Sequence, residues 1–242
     1  MTSPHQPITA LYPNDSAKHA YVRDLFNRGA AHYDRVGTVG FLGTGRHYRQ
    51  QALRKAGLEP GMTVIDVACG TGAVTWAIRQ IVGPEAKVLG VDPSEGMLAE
   101  ARREVAAEYQ VGRAENLPAP DAAFDFLSMG YALRHVEDLE STFREFHRVM
   151  KEGARLLILE ISRPQSRLGL GMTKLYFRDL VPFLSRLATG SGDAKEMMDY
   201  YWETIEACVP PRDILQALEG AGFRDVGRGT SLGIFSEFRA VK

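Results

Sequence analysis

Val64-Ile65-Asp66-Val67-Ala68-Cys69-Gly70-Thr71-Gly72, read together with Asp92 about twenty residues further on, decides the fold. A short β-branched run broken by a glycine-rich turn, and followed by the helix-like Ala73–Val82, reads as strand, turn and helix. That is the opening of a nucleotide-binding βαβ unit. Gly70 and Gly72 supply a turn with no Cβ to block a ligand against the backbone, and the next strand delivers Asp92 where a ribose would lie. Two features argue against a dinucleotide. The third glycine of that fingerprint falls at Thr75, and Asp66 puts a carboxylate beside the loop, which would repel a pyrophosphate and suit a cationic or amino-bearing ligand.

An acidic residue, then small residues, then Gly70-Thr71-Gly72 resembles the S-adenosylmethionine-binding motif of class I methyltransferases. The resemblance implies a Rossmann-like α/β fold in which Asp92 holds the ribose hydroxyls and the Ala68–Gly72 backbone meets the methionine portion. Asp66 then acts nearby, directly or through a water. Ala114 and Glu115 lie along the adenine, Met97 and Leu117 are apolar residues to sandwich it, and Pro93 and Met129 complete the cofactor set.

With 242 residues, 45% hydrophobic and 24% charged, the chain has material for one large α/β domain or a core with a lid. A net charge of −1 gives no global sign of a nucleic-acid partner. Cys69 and Cys208 are the only cysteines, so no disulfide framework or zinc spacing exists and no metal is expected. Residues 1–15 carry Pro4, Pro7 and Pro13 without an apolar h-region and read as a tail rather than a signal peptide. No apolar run approaches the ~20 residues that span a bilayer. The expected location is cytoplasmic, with peripheral contact with the inner face of a membrane left open.

After helices at 16–31 and 46–56, separated by a glycine-rich stretch, strands and helices alternate. Strands are expected at 63–67, 87–91, 109–112, 124–129 and 155–161, and helices at 73–81, 94–107 and 139–150. Strands alternating with helices predict a mostly parallel seven-stranded sheet covered on both faces, closed by a helix at 213–221 and a hairpin of 223–226 with 231–240. The ligand crevice lies beyond the carboxyl ends of the strands. Between the fifth strand and the last pair stand two helices with a glycine hinge at 189–193, an insertion that looks like a lid and also suits a homodimer contact. The organisation is thus 1–61, tail and cap helices; 62–162, cofactor-binding core; 163–210, helical lid; 211–242, closing helix and hairpin.

A closer resemblance rests on Ala132-Leu133-Arg134-His135-Val136, Arg148-Val149-Met150-Lys151, Leu159-Glu160-Ile161-Ser162, Ala31-x-Tyr33-Asp34 and Ala221-Gly222-Phe223. These segments are similar to the ubiquinone/menaquinone biosynthesis C-methyltransferase family, from about residue 22 to the end. There the first three read roughly Gly-Leu-Arg-Asn-Val, Arg-Val-Leu-Lys-Pro-Gly-Gly and Leu-Glu-Phe-Ser. The chain departs at His135, where the family has asparagine, and at Glu152-Gly153-Ala154, where it has Pro-Gly-Gly. Phe238 stands in place of a histidine, and Arg113 in place of a polar residue.

The resemblance implies transfer of a methyl group from S-adenosylmethionine to a small aromatic or prenylated quinol-type acceptor, on carbon. N- or O-methylation of a lipid amine or secondary metabolite, and a non-catalytic cofactor-binding protein, are the alternatives. On the loop after the fourth strand, His135 and Arg134 are the residues to take a phenolic proton and stabilise the phenolate, and Tyr33 is placed to cap the cofactor. Arg163, Arg167, Lys174, Arg178 and Arg186 flank the apolar segment 175–187 and would meet anionic lipid, so membrane contact is expected, if anywhere, through residues 163–187.

Overall fold

A computed structural model describes residues 3–5, 18, 20–30, 44–164, 166–181, 193–231 and 233–242. Helix α1 (residues 20–30) and helix α2 (Gly45–Lys55) precede a sheet built from β1 (Val64–Val67), β2 (Val88–Asp92), β3 (Glu108–Val111), β4 (Phe124–Gly130), β5 (Met150–Ile161), β6 (Arg224–Ser231) and β7 (Phe235–Val241). The strand order is β3-β2-β1-β4-β5-β7-β6, parallel from β3 to β5, with β7 antiparallel to both β5 and β6. Chain order reverses beside β1, which lies between β2 and β4; a crevice opens at such a switch point, beyond the strands' carboxyl ends.

Alternation along the buried strands assigns each face its core. Val64, Phe126, Leu157 and Leu159 join α2 and helix α3 (Ala73–Val82) through Leu53, Val74, Ala77 and Ile78. Ile65, Leu127, Leu156 and Ile158 face the other way, onto helix α5 (Leu139–Val149) and helix α8 (Pro211–Gly220) through Phe143, Phe146, Ile214 and Leu218. Helix α4 (Glu95–Glu104) is capped by Ser94, whose Oγ accepts from Met97 N at 3.1 Å, and carries Glu95 in its first turn. It ends three residues before the expected limit, because Val105 turns to an extended conformation and leads into β3. Met150, expected to end a helix, starts β5, which runs twelve residues. Strand β6 likewise extends beyond Val226 to Ser231.

Between β5 and α8 the chain forms helix α6 (Arg167–Lys174), a π-helical turn (Leu175–Leu180) and helix α7 (Asp193–Ala207). The hinge at 189–192 lies outside the described residues. From α7, Tyr200, Trp202 and Ile205 are buried in the first core. Residues 3–5, read from the sequence as part of a tail, lie against the body of the chain. Pro4 O accepts from Val209 N at 2.8 Å, just beyond α7, and His5 is buried.

Candidate active site

The loop after β1 is held from behind. Ala68, Gly70 and Gly72 all have left-handed φ, of 53°, 56° and 87°. At Gly70 a Cβ would meet no atom within 4 Å, so the backbone there is open to the cleft. Asp92, at the end of β2, receives Gly70 N on one oxygen at 2.9 Å and Ser94 N on the other at 2.8 Å. Its remaining lone pairs are left for a ligand. Burial pushes its pKa up to about 6, against those two bonds.

Asp66 lies on the α3 face of β1 and is fully buried. It accepts from Thr75 Oγ1 at 2.6 Å and Ser128 Oγ at 2.7 Å, and burial pushes its pKa up to about 6 as well. It does not line the cleft. Its carboxylate ties β1, α3 and β4 together directly beneath the loop.

A cavity of about 500 Å³ opens over these strand ends, a size typical of a small-molecule site. One part is bounded by Ala68, Gly70, Asp92, Pro93, Met97, Val111, Ala114 and Glu115, with Met129 on its wall. Glu115 accepts from Glu137 N at 2.6 Å and from Arg113 Nε at 3.3 Å, and Arg113 Nη2 also reaches Glu137 at 2.6 Å. The other part is aromatic, with Phe26 from α1, Tyr131, His135 and Tyr201. Helix α1 is anchored here by Asn27, whose Oδ1 accepts from Ser94 Oγ at 2.6 Å and Gly96 N at 3.1 Å.

A single 3₁₀ turn, Leu133–His135, separates the two residues expected to share catalysis. His135 lines the cavity, with Nδ1 2.8 Å from Tyr200 Oη and its Nε2 buried. Arg134 points away and is fully buried. Its Nη1 pairs with Glu160 and donates to Tyr131 O at 2.9 Å, its Nε donates to Thr204 Oγ1 at 3.0 Å, and the guanidinium lies 4.5 Å from the centre of the Tyr201 ring. Arg134, expected to stabilise the phenolate, does not line the cavity in this structure; it joins β4, β5 and α7.

Residues 14–242 match the model of the ubiE/COQ5 methyltransferase family. The chain belongs to that family. A demethylmenaquinone methyltransferase from Symbiobacterium thermophilum is 34% identical over 220 residues, covering 87% of this chain and 88% of the relative. One from Geobacillus stearothermophilus is 35% identical (87% and 91% covered), and a ubiquinone/menaquinone biosynthesis C-methyltransferase UbiE from Shewanella sp. (strain ANA-3) is 32% identical (85% and 83%). The fold is that of a SAM-dependent methyltransferase from Thermotoga maritima, at TM-score 0.64, 23% identity and coverage of 91% and 99%. One from Aquifex aeolicus gives TM-score 0.57, 23% identity and coverage of 79% and 88%.

The family member is thus an S-adenosylmethionine-dependent methyltransferase, and its cleft fits that cofactor. Asp92 could accept from ribose hydroxyls, Gly70 would let a chain lie on the backbone, and Met97, Val111 and Ala114 would offer an apolar slot. Two carboxylates, Asp92 and Glu115, face the cavity where a sulfonium compound would lie. Of the expected cofactor residues, Ala68, Gly70, Asp92, Pro93, Met97, Ala114, Glu115 and Met129 line the cavity. Asp66, Thr71 and Gly72 stand behind it: Thr71 is buried, and Gly72 caps α3. Leu117 packs into the second core. Tyr33 lies outside the described residues. The sequence reading missed Thr75 as a partner of Asp66, Asn27 as an anchor and Tyr200 as a partner of His135. Thr75, at the place of the third glycine, carried a signal; the other two depend on contacts over 67 and 65 residues.

Proposed function

We propose that this methyltransferase alkylates a ring carbon of a hydroxylated aromatic acceptor of the quinol type. The observation that carries the reading is one cavity with a carboxylate-edged cofactor end and an aromatic wall of Phe26, Tyr131, His135 and Tyr201. Demethylmenaquinone and ubiquinone/menaquinone chemistry in the names of the relatives supports the same acceptor class. S-adenosylmethionine supplies a methyl group already activated on sulfur, so the protein's task is to align the acceptor carbon with the methyl–sulfur bond and exclude water. Asp92 and the Gly70 backbone orient the cofactor end, and the aromatic wall holds a flat ring.

The remaining demand is ionisation of the acceptor. A hydroxyarene with a pKa near 10 lies about 4 kcal/mol from its anion at pH 7, and only the anion makes the neighbouring ring carbon a strong nucleophile. Incubation with trideuteromethyl-labelled S-adenosylmethionine, a demethylated prenylquinol, phenolic metabolites and ethanolamine lipids tests the assignment. Label on a ring carbon is expected. Label on nitrogen or oxygen replaces the acceptor.

The same reading includes peripheral membrane contact, which would give access to a prenylated acceptor. On α6 and the following turn, Met172, Leu175 and Leu180 are 65%, 63% and 44% exposed, with Arg163 and Arg178 also exposed nearby. Among the described residues no helix is long and apolar enough to cross a membrane. Co-sedimentation with anionic vesicles that weakens in high salt is expected, and salt-independent failure to pellet ends the idea.

A further inference from the structure

We propose that Asn27 is a positioning residue for the cofactor: by holding Ser94 it fixes the Asp92 carboxylate in the setting that selects the ribose diol of S-adenosylmethionine. The inference rests on the assignment of that diol to Asp92.

Asp92 meets a ligand with the lone pairs that its own supports leave over. Oδ2 receives Gly70 N at 2.9 Å and Oδ1 receives Ser94 N at 2.8 Å, so the direction of Oδ1 follows the turn at Ser94. That turn also carries Pro93 and Met97, which line the cavity beside Asp92. Ser94 is 1% exposed, and its Oγ accepts from Met97 N at 3.1 Å, which leaves the hydroxyl one proton to give. Asn27 takes it. Its Oδ1 lies 2.6 Å from Ser94 Oγ and also accepts from Gly96 N at 3.1 Å. A backbone N–H only donates, so the amide oxygen, not its nitrogen, faces the turn. One oxygen of α1 thus starts a chain of bonds that ends at Asp92.

Helix α1 is seated against this turn by more than one contact. Leu25 is 1% exposed in the first core and fixes the helix on the body of the chain, while Val22, Arg23 and Phe26 line the cavity. Gly96, in the first turn of α4, lies directly against Asn27. A Cβ there would stand 3.0 Å from Asn27 Oδ1, 3.2 Å from its carbonyl oxygen and 3.3 Å from its Cα, so the glycine admits an approach that any side chain would push back. Asn27 itself is exposed, and it serves the site through its two bonds rather than through packing. A carboxylate grips a vicinal diol by two bonds at once, a match that tolerates displacement of only about 0.5 Å. Without Asn27 the buried Ser94 hydroxyl must find its proton another acceptor, and the turn that aims Asp92 moves with it.

The test compares S-adenosylhomocysteine with its 2′-deoxyribose and 3′-deoxyribose analogues by calorimetry on the full chain, with the melting temperature measured beside it. None of these ligands carries a sulfonium, so a charge added at residue 27 gains no sulfonium to attract. The wild type should prefer the diol to each analogue by about tenfold or more, the scale of one hydrogen bond to a charged group. Asn27→Ala should shrink that preference to about threefold or less for at least one analogue, as a misaimed oxygen loses most of its bond. Asn27→Asp keeps an acceptor oxygen and should hold the preference within about twofold of wild type. Gly96→Ala favours the helix but crowds Asn27; it should reduce the preference as Asn27→Ala does, without lowering the melting temperature. The proposal is overturned if Asn27→Ala and Gly96→Ala keep the wild-type preference, or weaken all three ligands by one factor, as a merely structural role would. Asp92→Ala separates this failure from one beneath it. If the preference vanishes in Asp92→Ala yet survives in Asn27→Ala, the positioning role alone falls; if the wild type shows no preference, Asp92 does not hold the ribose and the role falls with that assignment.

Discussion

Asp66 and Asp92 occupy neighbouring parallel strands, and each carboxyl is pushed up to about 6 by burial. Between about pH 4 and 6 the folded chain therefore holds more protons at these sites than the unfolded chain does. The sign follows: their contribution to stability falls as pH rises through that window, and the penalty of burying the charges is complete above about pH 6. Cofactor binding runs the other way, because a protonated Asp92 offers fewer acceptor sites to ribose hydroxyls. Calorimetric affinity for S-adenosylhomocysteine should decline as pH is lowered through about 6; a flat profile would show that Asp92 does not hold the ribose. The two acids also differ in what they touch. Asp92→Ala removes the acceptor itself and should weaken binding by about 100-fold, the scale of two hydrogen bonds to a charged group. Asp66→Asn keeps the shape beneath the loop and should change affinity less than tenfold. A larger loss for Asp66→Asn than for Asp92→Ala would reverse the roles drawn from their contacts.

Individual elements meet at the carboxyl end of β4, where Arg134 joins the 3₁₀ turn to Glu160 on β5 and Thr204 on α7. A fully buried ion pair with one partner deleted leaves a charge with no solvent. Arg134→Met should therefore cost roughly 3–5 kcal/mol in chemical denaturation, and adding Glu160→Gln should recover part of it. Additive losses would mean that the pair is not coupled. Glycines on two elements give contrasting expectations. At Gly90 in β2 a Cβ would lie 2.7 Å from the Tyr109 ring and 3.0 Å from Cys69 Sγ, so Gly90→Ala must displace the β3 edge and lower stability. At Gly70 space is open, and Gly70→Ala costs only left-handed strain of about 1–2 kcal/mol. Its methyl group would stand in the cofactor cleft, so the larger effect should be on S-adenosylhomocysteine affinity, measured beside thermal stability.

Across the whole molecule, the cleft is assembled from parts that do not adjoin in the chain. Asn27 fastens α1 to the start of α4, Tyr200 and Tyr201 bring α7 to the aromatic wall, and Pro4 meets Val209 beyond α7. A ligand bound only by the folded assembly stabilises it, by about 2.7 kcal/mol at a concentration a hundred times Kd. S-adenosylhomocysteine should accordingly raise the melting temperature of the wild type, and the rise should vanish in Asp92→Ala. A persistent rise in that variant would place the binding energy elsewhere in the cleft.

The sequence by itself determined the strand–loop–helix at 64–82, the acidic end of the next strand, the α/β alternation and the position of His135 beside the cleft. Those features are local: the two-residue period of a strand, the turn made by glycine, and the spacing from β1 to Asp92 are written along one stretch of chain. Only the tertiary structure decided which way neighbouring groups face. In a 3₁₀ turn successive side chains diverge by about 120°, so Arg134 and His135, adjacent in sequence, separate into the core and the cleft. Asp66 shares the parity of Val64 and meets Thr75 and Ser128, whereas Asp92 ends its strand and opens to the cavity. The partner of His135 comes from Tyr200, on a helix whose approach is set by burial of Trp202 and Ile205 and by the bond from Arg134 to Thr204. No periodicity records such contacts, because they arise when separate elements bury their apolar faces against one sheet.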